Sequence, residues 1–300
     1  MILFFLKQMR KEKSLDKLRF GPSGNCELFY AEGNKSSLQA PSWLKKKGLD
    51  AYEYSFTRGF TIKDETAVQL GKIAEENDIL ISAHAPYYIN LANPSEEMIQ
   101  KSFGYITRGL ELLKLMKGKH YCLHLASCGK LPREKALELT KVNLKRIVDQ
   151  VKGFCIENNM FLCPETMGKP MQIGTYEEII ELCTIDEILV PTFDFGHINA
   201  LSGGGLKTYE DYKKIIDLAI EKLGERAKSC HVHFSKIEYG DKGEIRHLNY
   251  NDNDYGPDFG PFAKLIKEYN LTPTIICESK NFMTEDAMQM QQIYKEVSID

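Results

Sequence analysis

The stretch Val190-Pro191-Thr192-Phe193-Asp194-Phe195-Gly196-His197 joins an enclosed apolar run to a carboxylate and, three residues later, an imidazole. Ile188 to Val190 shows no polar alternation, so it reads as a strand covered on both faces, with Asp194 and His197 where that strand opens into a loop. Two metal-ligand types at a strand's carboxyl end are what a catalytic metal site on a parallel barrel requires. A single Asp-x-x-His is more commonly a loop cap or a hydrogen-bonded pair, so the rest of the chain must decide. The Asp-Phe-Gly triplet also occurs in protein kinases, but no Gly-rich loop and no His-Arg-Asp motif precede it here.

Outward from this stretch, short apolar runs alternate with longer amphipathic ones. Strands are expected at Leu18–Phe20, Ala51–Phe56, Ile79–Ala83, Tyr121–Leu125, Met160–Cys163, Ile188–Phe193, Ser229–Phe234 and Thr274–Cys277. Helices are expected near Pro41–Lys47, Asp64–Asn77, Ser95–Met116, Pro132–Asn158, Tyr176–Cys183, Tyr209–Leu223, Pro261–Tyr269 and Thr284–Val297. Eight such pairs without a large linker predict an α/β fold, a single (β/α)8 TIM barrel over residues 17–300.

Composition fits that size. The chain is 43% hydrophobic and 27% charged with a net charge of -3, which supplies a large core and no global basic field. The eight cysteines contain no Cys-x-x-Cys pair, and they read as buried small hydrophobes in a reducing compartment. Met1 to Leu6 is apolar but too short for a membrane span and has no cleavage site behind it. Residues 1–16 are therefore expected to be a poorly ordered leader, with translation beginning at Met9 or later, on a cytoplasmic, monomeric protein without a membrane partner.

The carboxyl ends of the expected strands collect the chemistry. They carry His84, His124, Glu165, Asp194 with His197, His231 and Glu278, and the loop after the seventh strand adds His247. Five of the seven histidines thus fall where barrel enzymes keep their sites. Imidazoles mixed with carboxylates, without thiolates, suit Zn2+, Mn2+ or Fe2+.

These residues resemble the endonuclease IV family, metal-dependent apurinic/apyrimidinic endonucleases of the xylose isomerase-like barrel superfamily. The resemblance runs in order through His84-Ala85-Pro86-Tyr87-Tyr88-Ile89-Asn90-Leu91, His124, Glu165, Asp194-Phe195-Gly196-His197, His231 with Ser235-Lys236, Arg246-His247 and Glu278. It implies two or three zinc ions, with Mn2+ or Fe2+ as substitutes. His84 and His124 would hold the first ion, and Glu165 would bridge it to a second completed by Asp194, His231 and Glu278. His197 and His247 would hold a third. The implied reaction is hydrolysis of the phosphodiester 5′ to an abasic site in damaged double-stranded DNA, with Glu165, Glu278 and Asp194 as the catalytic carboxylates. Tyr87 and Asn90 match positions near the DNA cleft, and Arg58, Lys169, Lys236 and Lys280 are candidates for phosphate contacts.

Several positions depart from the family. Ile245-Arg246-His247 places an apolar residue where the third metal's Asp belongs, leaving Glu244, one position earlier, to replace it if the loop shifts. His233 and Phe234 stand where the family has Asn and Asp, and Thr166 where Asn is usual. The chain therefore reads as a diverged member. Two other functions fit the same residues: a metal-dependent sugar isomerase or epimerase using Glu165 and Glu278 as an acid/base pair, and a metal-binding barrel without turnover.

Overall fold

The computed structural model describes residues 17–57 and 59–298; the leader expected at 1–16 and Arg58 lie outside the described residues. Among the described residues twelve strands form in chain order. They are β1 (Arg19–Pro22), β2 (Ala51–Ser55), β3 (Leu80–His84), β4 (His120–Leu123), β5 (Ala126–Ser127), β6 (Phe161–Pro164) and β7 (Gln172–Ile173), then β8 (Thr192–Asp194), β9 (His231–Phe234), β10 (Lys236–Gly240), β11 (Gly243–Leu248) and β12 (Thr274–Cys277). Eight of these build the barrel as two parallel sheets, β1-β12-β9-β8 and β2-β3-β4-β6.

The two sheets meet through isolated parallel bridges. Ser23 pairs with Glu53 on one seam, while Leu162 with Leu189 and Glu165 with Thr192 close the other. At the first seam a Cβ on Gly21 would lie 1.8 Å from the Ala51 carbonyl oxygen, so only glycine permits the approach. At the second, the expected strand Ile188–Phe193 shortens to Thr192–Asp194. Pro191 has no N–H to give the ladder, which leaves Leu189 in a single bridge.

Apolar packing sits between barrel and helices. Tyr121 on β4 is fully buried and donates to the Tyr105 carbonyl of the helix Glu96–Leu115 at 3.1 Å. Phe195, which opens a short helix Phe195–Leu201 directly after β8, packs on Phe262 at 4.5 Å and on Tyr212 at 5.1 Å between ring centroids. Each such aromatic pair contributes about 1 kcal/mol beyond burial, and together they fix the start of the helix that carries His197.

The barrel's interior is polar instead. Glu53, Ser82, Cys122, His231 and His233 are all buried there. Such groups are costly unless paired, so their presence points to a site above them. All eight cysteines are free and buried, in line with the sequence reading. Among the described residues no helix is long and apolar enough to cross a membrane.

Candidate metal centre

Glu165 follows β6 and is 1% exposed at the centre of the strand ends. Its Oε2 lies 3.1 Å from His84 Nε2 and 3.1 Å from His124 Nε2, while Oε1 lies 3.3 Å from His197 Nδ1 and 3.3 Å from His233 Nδ1. One carboxylate therefore faces two groups of imidazoles, as a bridging ligand would. His84 ends β3, and its Nδ1 donates to the Ala85 carbonyl at 2.8 Å, which leaves Nε2 as the ligating atom.

Asp194 ends β8 and caps the helix behind it, accepting from the His197 amide at 2.8 Å. Thr166 positions both neighbours: its hydroxyl accepts from the Asp194 amide at 2.8 Å, and its carbonyl accepts from His197 Nδ1 at 2.9 Å. Because that imidazole proton goes to Thr166, Asp194 Oδ2 is left buried with no hydrogen-bond partner. Asp194, Glu165, Glu278 and His233 each offer one ligand atom, and these atoms lie within 4.8 Å of one another. Three carboxylates at such range repel unless a cation lies among them, so this donor set fits a divalent metal.

The structure corrects one expected ligand. His231 is not brought to Asp194 and Glu278; it starts β9, is fully buried, and its Nε2 meets Glu53 Oε2 at 2.8 Å. His233 takes the expected place. Counting back from Ser235-Lys236 put the position two residues early, and a two-residue slip keeps a strand residue on the same face, one layer deeper in the barrel.

The third cluster depends on a β-bulge. In the β10–β11 hairpin Ile237 pairs with His247 and Glu238 with Arg246, but Tyr239 pairs with Glu244, so Ile245 has no partner and the register shifts. Ile245 turns outward, 58% exposed, and Glu244 joins His247 on the inner face. Glu244 Oε2 then lies 3.4 Å from His197 Nε2, and one atom from each of His197, Glu244 and His247 falls within 4.8 Å. Two glycines seat this hairpin. A Cβ on Gly243 (φ +85) would lie 2.2 Å from the Gly168 carbonyl oxygen, and one on Gly168 would lie 2.8 Å from Glu244 Cβ. His247 Nδ1 is satisfied by Ser235 Oγ at 2.8 Å, leaving Nε2 as the available atom.

Electrostatics follow from this crowding. Burial opposes charge on His84, yet Glu165 beside it prevails and raises the imidazole to about 9. Burial also opposes charge on His197, which Asp194 and Glu165 raise to about 10. Burial lowers His124 and raises Asp194. Burial likewise favours neutral Glu165 and Glu278, but the imidazoles beside them, His124 and His233 for Glu165 and chiefly His233 for Glu278, hold both carboxyls below the usual range.

The rim residues divide. Tyr87 and Tyr88 are exposed, and the Tyr87 ring lies 5.4 Å from His84 and 5.0 Å from His124, against the first ligand pair. Asn90 Oδ1 is committed to the amides of Ala92 (3.1 Å) and Ser127 (3.3 Å), tying its loop to β5. Lys236 does not reach the rim as a phosphate contact: it is buried, donates to the Asp252 carbonyl at 2.9 Å and covers the Tyr250 ring. Lys169 stays half-exposed with Nζ 3.9 Å from Glu244 Oε2, and Lys280 is exposed.

Sequence reasoning missed Glu53, Cys122 and the hairpin. Cys122 donates to Glu165 Oε2 at 3.2 Å from below. The hairpin's signal was present in Gly240-Asp241-Lys242-Gly243, a turn flanked by alternating runs.

Imidazoles and carboxylates gathered at the carboxyl ends of a closed parallel barrel define the class: a barrel whose strand-end side chains could hold divalent metal. The family described as Xylose isomerase-like TIM barrel matches residues 41–296, and the chain belongs to it as a diverged relative of the endonuclease IV proteins. An uncharacterized protein of Methanocaldococcus jannaschii is 34% identical over 264 residues, 88% of this chain and 93% of its own. A "Probable endonuclease 4" of Natranaerobius thermophilus is 25% identical over 221 residues, covering 71% of this chain and 75% of its own. Endonuclease IV from Thermus thermophilus superposes with TM-score 0.68 at 17% identity, covering 92% of this chain and 97% of its own. A D-tagatose 3-epimerase-like protein superposes with TM-score 0.67 at 21% identity, covering 93% of this chain and 96% of its own.

Proposed function

We propose that the protein is a zinc-dependent apurinic/apyrimidinic endonuclease that cleaves the phosphodiester 5′ to abasic sites in double-stranded DNA. The observation that carries this reading is the continuous series of three ligand groups joined by Glu165 and His197, running from His84 and His124 through Asp194, His233 and Glu278 to Glu244 and His247. Similarity to proteins named probable endonuclease 4 supports the choice of substrate.

His84, His124 and Glu165 would hold a first ion, Glu165, Asp194, His233 and Glu278 a second, and His197, Glu244 and His247 a third. When bound, such ions lower the pKa of a coordinated water and neutralise charge on the attacking and leaving oxygens of an in-line displacement. The chain's own groups orient the rest. Glu165 fixes the spacing of the first two positions, Thr166 locks Asp194 and His197, and Ser23 holds Glu278 by donating to Oε1 at 3.1 Å. Tyr87, exposed beside the first ligand pair, and its exposed neighbour Tyr88 offer aromatic faces to a duplex that lacks one stacking partner and is therefore cheaper to distort.

A sugar epimerase reading has one observation in its favour. Glu165 and Glu278 flank His233 in a single small space, at 3.3 Å and 3.5 Å from Nδ1, as a two-carboxylate proton transfer requires. The deciding experiment is gel-resolved cleavage of a duplex bearing one stable abasic analogue, with intact duplex, chelator and Asp194→Ala controls. Incision at the lesion alone, lost with chelator and in the mutant, is expected. No incision by fully metallated protein, with epimerisation of a ketose, would replace the nuclease by the epimerase.

A further inference from the structure

Glu53 stands in the middle of β2 between two tyrosines, wholly inside the barrel, and occupies none of the expected ligand positions. Its two oxygens have separate work. Oε2 accepts from Ser82 Oγ on β3 at 2.8 Å and meets His231 Nε2 on β9 at 2.8 Å. Oε1 lies 3.0 Å from His233 Nε2, an ion-pair contact outside hydrogen-bond geometry, and neither buried atom has a hydrogen bond to any other group. His233 therefore sits between carboxylates at both ring nitrogens, because its Nδ1 lies 3.3 Å from Glu165 Oε1 and 3.5 Å from Glu278 Oε2.

We infer that Glu53 is a positioning residue for the metal centre: it keeps the proton on His233 Nε2 and so leaves the Nδ1 lone pair for a cation held among the Glu165, Asp194 and Glu278 carboxylates. The inference rests on the metal-centre reading proposed above. A carboxylate behind a metal-bound imidazole fixes its tautomer and raises its basicity, and losing such a partner costs about 10–100-fold in metal affinity. His231 and Ser82 complete the arrangement from below. With Nε2 turned to Glu53, His231 serves as an anchor, its ring tilted against His120 at 5.1 Å between centroids toward the barrel's amino-terminal end. The polar column inside the barrel is thus a support for one ligand. Its charges are paired within a closed space, where an unpaired carboxylate would be strongly destabilising.

The test is zinc affinity by chelator competition on the full chain, together with the visible d–d spectrum after cobalt(II) loading, for wild type, Glu53→Gln and Ser82→Ala. Glu53→Gln should weaken one site by about 10–100-fold and shift its cobalt band, while the other sites keep their affinity. Ser82→Ala, which removes only an anchor, should give a smaller loss at that same site. Unchanged affinity and spectrum in Glu53→Gln would overturn the inference, as would equal weakening of every site in step with a lowered Tm. If Glu53→Gln does not fold, Ser82→Ala decides, and wild-type affinity at this site would overturn the idea. Failure of the wild type itself to take up zinc would remove the metal-centre reading and this inference with it.

Discussion

The bulge at Ile245 makes an unusual prediction, because it says that the residue out of place in the third ligand group is an insertion and not a replacement. Without Ile245 the strand reads Glu244-Arg246-His247, and regular alternation would put Glu244 and His247 on one face. The bulge achieves the same alignment with the extra residue looped out, 58% exposed. Deleting Ile245 should therefore leave the third site intact. Glu244→Gln, by contrast, removes one of the three side chains that meet there. If about 10–16 kcal/mol of zinc binding is shared among four coordination positions, three of them filled by these side chains and one by solvent, each contributes roughly 3 kcal/mol, or about a hundredfold in affinity. Metal content after dialysis against a graded chelator distinguishes the two variants. The expected result is three ions per chain in the wild type and the deletion, and two in Glu244→Gln. Loss of the third ion in the deletion, or its retention in Glu244→Gln, would refute the reasoning.

Three further expectations concern the same face. Asp194→Ala removes the buried carboxylate whose Oδ2 makes no hydrogen bond, and should abolish metal-dependent turnover while circular dichroism and Tm show a folded barrel; near-normal turnover would contradict its role. Because His84 and His197 are raised to about 9 and about 10, both carry a proton near neutral pH that a metal must displace. Zinc affinity should thus rise about tenfold per pH unit for each proton released, and level off above about pH 10; calorimetry in buffers of different ionisation heat counts those protons, and pH-independent binding would exclude the assignment. Lys236→Ala should lower stability by about 2 kcal/mol through its lost charged hydrogen bond, leaving the salt dependence of DNA binding unchanged. A shallower salt dependence would return Lys236 to the phosphate contacts.

The alternation of apolar and amphipathic runs made the barrel legible, and the rule that barrel sites collect at strand carboxyl ends picked out His84, His124, Glu165, Asp194, His197 and Glu278. What it lacked was depth along a strand. His231 and His233 share an inward face, so sequence periodicity does not say which of them reaches the site. Glu53 was hidden for a related reason: in Ala51-Tyr52-Glu53-Tyr54 a lone charge between tyrosines reads as a solvent-facing position, and only barrel closure turns it inward. Glu244 required a bulge, a local change of register that alternation counts as an error. Lys236 was misplaced because long side chains after a strand are usually solvated, whereas here the segment around Asp252 and Tyr250 folds back over it.

Anomalous scattering at the zinc edge from zinc-reconstituted crystals tests the metal centre most directly. Three peaks are expected at the strand ends, with Glu165 shared by two of them, His233 Nδ1 on the second and Glu244 on the third. Absence of peaks among these side chains, or a second ion bound by His231 in place of His233, would contradict that arrangement.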